Sequence, residues 1–271
     1  MSLRDYENDD LDHPQEYGGG NRQPAPPTRD WIPSRPPPGR PVVTYTLLVF
    51  TIIIYILQEA SGFMTGQDLP ALLGMKVNQW IIEGEYWRLI TPMFLHGSIM
   101  HISFNMYALY IFGPGLERHF GRGRFIALYF LAGFAGNIFS FIFSPNPSLG
   151  SSTAIFGLIG AQAVFLYRNK DMFAGMAQRA LSQILTIAVI NLVIGLSPGI
   201  DNWGHIGGLI GGAIFTFLAG PVLELKGFSP YQSINDRRET REIVMASLGL
   251  GALLVLLAAA AIYYRGGDLV I

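Results

Sequence analysis

The chain has 271 residues, of which half are hydrophobic and only 14% charged, whereas soluble domains run near 25% charged; an ordinary water-soluble globule is excluded. With a net charge of −1 and no cysteine, there is no disulfide framework, no thiolate metal site and no cysteine nucleophile to consider. Neither a cofactor, a metal nor a nucleic-acid partner is expected, because the charges fall by segment rather than into a patch.

Residues 1–40 are polar, acidic near the start and rich in Pro and Gly. They lack the apolar stretch of an export signal and read as a disordered cytoplasmic tail. Seven apolar runs follow, each near the roughly 20 residues that a helix needs to cross the hydrocarbon core. They are Pro41–Ala60, Leu95–Gly115, Phe125–Phe143, Ser152–Tyr167, Ala180–Leu196, Gly204–Val222 and Ile243–Tyr264. The fourth is short. Segment 61–90, with Trp80, Tyr86 and Trp87, forms the one large loop between them and suits the membrane interface. Residues 41–223 read as a six-span core, 224–242 as a cytoplasmic linker, and 243–271 as an appended seventh transmembrane helix with a short outside tail.

Lys and Arg are enriched in short cytoplasmic segments. With the N-terminus inside, fifteen of the eighteen basic residues fall on the inside. Lys76, Arg88 and Arg265 alone fall outside. An N-in, C-out protein follows. It is placed in the cell membrane of a bacterium, since the acidic tail is unlike an organelle transit peptide.

Ionisable residues within a span are costly and therefore functional candidates. Here they are His96, His101 and His205, with Asn105 and Ser152 as neutral companions, while Glu117 closes the second span and no Asp lies within any. An aspartyl protease or proton-coupled transporter would need intramembrane carboxylates. A retinal carrier would need a lysine in a span. At 1.5 Å per residue, Ser152, His101 and His205 all lie roughly 24–29 Å from the nearest inside charge, so three helices bring a serine and two histidines to one depth. His101 and Asn105 are four apart and share a helix face. Gly204, Gly208 and Gly212 form a small-residue stripe on the sixth span, and Thr153, Gly157 and Ala161 a matching one on the fourth. Such stripes allow close helix approach, although each taken singly is ordinary packing.

At Gly150-Ser151-Ser152, His101-x-x-x-Asn105 and Gly204-His205-x-x-Gly208-x-x-x-Gly212 the chain resembles the rhomboid family of intramembrane serine proteases. Trp87-Arg88 and Glu117-Arg118 extend the resemblance over about residues 41–223 in the family's order. It implies an all-α integral membrane fold, a rhomboid-like six-helix bundle with an appended seventh helix. Ser152 corresponds to the nucleophile and His205 to the general base; His101 and Asn105 form the oxyanion hole with the Ser152 backbone N–H. Phe156 falls where an aromatic packs on the imidazole, and His96 matches a position that is often His. The implied substrates are transmembrane helices of other proteins in the lipid bilayer, cleaved near their outer end. One departure is Thr153, where the family usually has Gly. Between the adjacent hydroxyls, Ser152 is preferred over Ser151 because only Ser152 has an aromatic four residues on. The runner-up reading is a catalytically silent rhomboid-like protein that binds transmembrane helices; such members typically lack the serine or the histidine, and both are present.

Overall fold

A computed structural model of the chain describes residues 39–173, 175–228 and 232–267. Nearly all of the tail 1–40 and the last four residues lie outside that set. The described residues form helices α1 (Val42–Thr65), α2 (Leu69–Gly74), α3 (Asn78–Ile82), α4 (Ile99–Phe120), α5 (Arg122–Phe143), α6 (Ser152–Arg168), α7 (Met176–Ile194), α8 (Asn202–Ala219) and α9 (Thr240–Gly267). The only sheet among them is one hairpin, β1 (Leu223–Lys226) with β2 (Ser233–Asp236). The architecture is the expected all-α membrane bundle, and the seven apolar runs coincide with α1 and α4 to α9.

Taken by length and apolarity alone, α1, α5, α7 and α9 qualify as membrane spans. The other three long helices, α4, α6 and α8, are those that carry the candidate site residues. Helices α6 and α8 are short, with 17 and 18 residues, and their glycine-rich faces are buried within the bundle. Helix α5 is the hub: it packs on α6 and α8, with α9 and α4 on its flanks. Phe125, Leu128, Ala132, Ile138 and Phe141 of α5 are buried, as are Ala154 and Leu158 of α6 and Phe215 of α8. By contrast Val49, Ile53 and Ile56 of α1, Val189 and Val193 of α7, and Leu253 and Leu256 of α9 are exposed. So wide an apolar surface is unstable in water and suits hydrocarbon.

Close approach of α6 and α8 depends on the expected glycines. A Cβ at Gly208 would meet the Thr153 carbonyl oxygen, and one at Gly212 the Gly157 carbonyl oxygen. No side chain can stand between these backbones.

Two differences from the sequence reading have simple causes. The second span starts at Ile99 rather than Leu95, because Thr91–Phe94 forms a 3₁₀ turn and Ser98 caps α4, its hydroxyl accepting from His101 N at 3.2 Å. His96 therefore precedes the helix. The second difference is the hairpin inside the segment read as a linker. Asp236 pairs with Arg124 at 2.6 Å, and Arg238 donates to the carbonyls of Gly220 (2.9 Å) and Phe217 (2.7 Å). Those contacts hold two four-residue strands, too short for an alternating pattern to stand out. At the same end of the bundle Glu117 accepts from Val43 N (2.9 Å), Thr44 N (2.8 Å) and the Thr44 hydroxyl (2.7 Å). It thereby satisfies free N–H groups at the start of α1.

Between α1 and α4 the chain is neither bare loop nor separate domain. Arg88, buried, binds Glu85 at 2.5 Å and the carbonyls of Met75 and Leu72 at 2.9 Å each, and stacks on Trp80. It ties α2, α3 and the following turn into one unit.

Candidate active site

Ser152 opens α6, and Asp201 caps α8 by accepting from Gly204 N at 3.0 Å. These two helix starts put Ser152 Oγ 3.0 Å from His205 Nε2. The His205 ring is stacked on Phe156, centroids 4.2 Å apart and planes 10° from parallel. Such an arrangement lets the hydroxyl give its proton to the imidazole. Asp201, four residues before His205, bonds Gly204 N and the Ser140 hydroxyl. His205 Nδ1 is buried and bonds no described group, so aromatic stacking and helix packing orient the ring.

His101 faces the same spot from α4. A Cβ on Gly150 would lie 2.8 Å from both His101 Cε1 and Nε2, and 3.5 Å from Ser152 Oγ. His101 and Ser152 thus flank Gly150, which also has φ of 138°, a conformation open to glycine and strained for other residues. Asn105 is one helical turn further on, 7% exposed, and its amide donates to the His101 carbonyl at 2.9 Å. A second N–H of that amide remains.

The two adjacent serines diverge. Ser151 is fully buried and its hydroxyl lies 3.1 Å from His96 Nε2. His96 is in turn held by Gln58, whose side chain accepts from His96 N at 3.0 Å and donates to His96 O at 3.1 Å. The rings of His96 and His101 meet edge to face at 5.0 Å. The structure therefore brings all of Ser152, His205, His101, Asn105, Phe156, His96 and Gly150 to one end of the bundle, while Gly208 and Gly212 lie deeper as packing residues.

Sequence reasoning missed Gln58 and the Ser151–His96 pair. Neither has a local signal, since Gln58 is 38 residues from His96. It also left Thr153 unexplained. The Thr153 side chain fills the space above two glycines of neighbouring helices: a Cβ at Gly136 would be 2.7 Å from its Cβ, and one at Gly204 would be 3.0 Å from its methyl. Glycine at 136 and 204 offsets the missing glycine at 153.

Fold and site together define a helical integral membrane protein with a hydrogen-bonded serine–histidine pair at one end of its bundle. Residues 83–222 match the Rhomboid domain family, and the chain belongs to that family. It is 39% identical over 216 residues to Rhomboid protease GluP of Bacillus subtilis, covering 79% of this chain and 40% of that protein. It is 31% identical over 181 residues to YdcA of the same bacterium, covering 66% of this chain and 88% of YdcA. It is 40% identical over 127 residues to Inactive RHOMBOID-like protein 8 of Arabidopsis thaliana, covering 46% of this chain and 36% of that protein. The matched stretch thus covers 40% of the length of GluP.

Proposed function

We propose that this protein is an intramembrane serine endopeptidase that hydrolyses peptide bonds in or near transmembrane helices of other membrane proteins. The observation that carries the reading is the 3.0 Å contact of Ser152 Oγ with His205 Nε2, with the ring stacked on Phe156.

A serine hydroxyl becomes an effective nucleophile when an adjacent base takes its proton. As Ser152 Oγ bonds to the scissile carbonyl carbon, its proton passes to His205 Nε2 and the carbonyl oxygen gains a negative charge. His101, the free Asn105 N–H and the backbone at the start of α6 supply donors for that oxyanion; each such donor is typically worth about 2.7–4 kcal/mol. Collapse breaks the C–N bond, and the leaving amine takes the proton from His205. Water, activated by the same imidazole, then cleaves the acyl ester and restores Ser152. No metal or cofactor enters this scheme. In the proposed orientation the N-terminus and hairpin face the cytoplasm and the site opens toward the outer leaflet.

The test is cleavage of a model transmembrane substrate by purified protein, with labelling by a fluorophosphonate. Ser152→Ala and His205→Ala are each expected to abolish cleavage, and the probe to label Ser152. Removing both should cost hardly more than removing one, because they act as a unit. A second reading, a silent protein that binds transmembrane helices, is favoured by the 40% identity to a relative named as inactive. Wild type that neither cleaves nor takes the probe would select it.

A further inference from the structure

Lys76 is fully buried, although a buried lysine is costly unless its donors and charge are matched. Its ammonium donates to the carbonyls of Ser144 (3.1 Å) and Asn146 (2.8 Å). Its backbone forms a two-way bridge with Ser148: Lys76 N to Ser148 O at 2.9 Å, and Ser148 N to Lys76 O at 3.0 Å. The strap Ser144–Gly150, which leads from α5 into Ser151 and Ser152, is therefore gripped at three successive alternate residues by one lysine.

Neighbouring side chains complete the grip. Asn78 donates to Ser144 O (2.9 Å) and Phe141 O (3.3 Å), and Arg265 near the end of α9 donates to Ile142 O at 3.0 Å. The last carbonyls of a helix have no partner within it and favour cations beside them. Lys76, Asn78 and Arg265 serve those of α5 and the turn after it. The strap then connects to the other half of the dyad. The Ser148 hydroxyl lies 3.3 Å from that of Ser140, which donates to Asp201. The other oxygen of Asp201 caps Gly204 N, one residue before His205. At its far end the strap is pinned by Gly150 N donating to Pro92 O at 2.9 Å.

We infer that Lys76 is a positioning residue: through the Ser144–Gly150 strap and the Ser148–Ser140–Asp201 chain it sets Ser152 and His205 relative to one another. It touches neither. Arg265 gives the appended helix α9 a part in the same clamp. The inference rests on the protease reading above, and the experiment separates the two. In purified full-length protein, kcat and KM on a model transmembrane substrate are measured for wild type, Lys76→Met, Lys76→Gln and Ser148→Ala, together with hydrogen exchange of residues 144–152. Lys76→Met is expected to lower kcat on the order of 10–100-fold, as displacement of a reacting group by about 1 Å does, with KM within about twofold. Lys76→Gln, which keeps amide donors, is expected to retain more turnover than Met. Exchange of the strap is expected to quicken in Lys76→Met. Unchanged kcat in folded Lys76→Met, or a loss confined to KM, overturns the inference. If both Lys76 variants fail to fold, Ser148→Ala decides: a fall in kcat without a fall in thermal stability upholds the chain to Asp201, and wild-type turnover overturns it. Wild type without cleavage or labelling sinks the protease reading instead; strap exchange then judges the clamp alone, and equal exchange in wild type and Lys76→Met overturns it.

Discussion

At the scale of single residues, the notable costs are buried polar groups with a partner or without one. Burial pushes the Lys76 ammonium down from its usual range to about 8, opposed by the Asp201 carboxylate and assisted by Arg265. The unfolded chain then binds more protons than the folded one between about pH 8 and the ordinary lysine value near 10.4, so this group's contribution to stability rises with pH across that window. Below it the penalty of a buried charge is present in full. Thermal unfolding in detergent, compared between wild type and Lys76→Gln from pH 7 to 10, is expected to show their difference shift in favour of wild type at alkaline pH. Thr153 is the opposite case. Its hydroxyl is buried and bonds no described group, while its methyl packs between Gly136 and Gly204. Thr153→Val keeps the shape and removes the unpaired hydroxyl, so it is expected to stabilise the fold by about 1 kcal/mol and leave cleavage intact. Lower stability in Thr153→Val would mean that the hydroxyl has a partner.

Between elements, the decisive contact is α6 against α8, because each holds one member of the hydrogen-bonded Ser152–His205 pair at its first turn. A 3.0 Å hydrogen bond tolerates little separation of two helices. Gly212 faces the Gly157 carbonyl with no room for a methyl group, whereas a Cβ on Gly249 of α9 would meet nothing within 4 Å. Gly212→Ala is expected to cost about 1–3 kcal/mol, the range for overpacking, and to reduce turnover by moving His205 from Ser152. Gly249→Ala is the matched control, expected to leave both unchanged or to stabilise slightly through helix propensity. Equal unfolding temperatures for the two variants would show that α6 and α8 can separate freely. The loop between α1 and α4 acts at this scale too. Arg88 unites its short helices, and Lys76 and Asn78 fasten that unit to the end of α5.

For the whole molecule, the proposed orientation rests on basic residues gathered at the hairpin end. Arg124, Arg168, Lys226 and Arg238 all belong to that end, several of them bound to carbonyls or to Asp236. The chain has no cysteine, so single cysteines can report sidedness without background. Phe63→Cys at the end of α1 is 94% exposed in wild-type context and is expected to react with an impermeant thiol reagent on intact cells. Lys226→Cys, in the hairpin, is expected to react only after permeabilisation. The reverse pattern would invert the topology and put the site on the cytoplasmic side.

The sequence by itself determined the class of this protein. Apolar runs of spanning length, three histidines within them and glycines at four-residue spacing are local facts, and helix periodicity converts them directly into depth and face. That is why the shared depth of Ser152, His205 and His101 was legible in the chain itself, whereas the preference for Ser152 over Ser151 came from the family resemblance, through the aromatic position that Phe156 fills. Only the tertiary structure decided what each polar group does with its remaining bonds. Ser151 turns to His96, Asp201 to Gly204 and Ser140, Lys76 to the strap, and Arg265 of the appended helix to α5. Those partners lie on different elements, up to 123 residues apart. In a medium without water a buried donor must find whichever carbonyl the packing brings near, and no spacing along the chain encodes that choice.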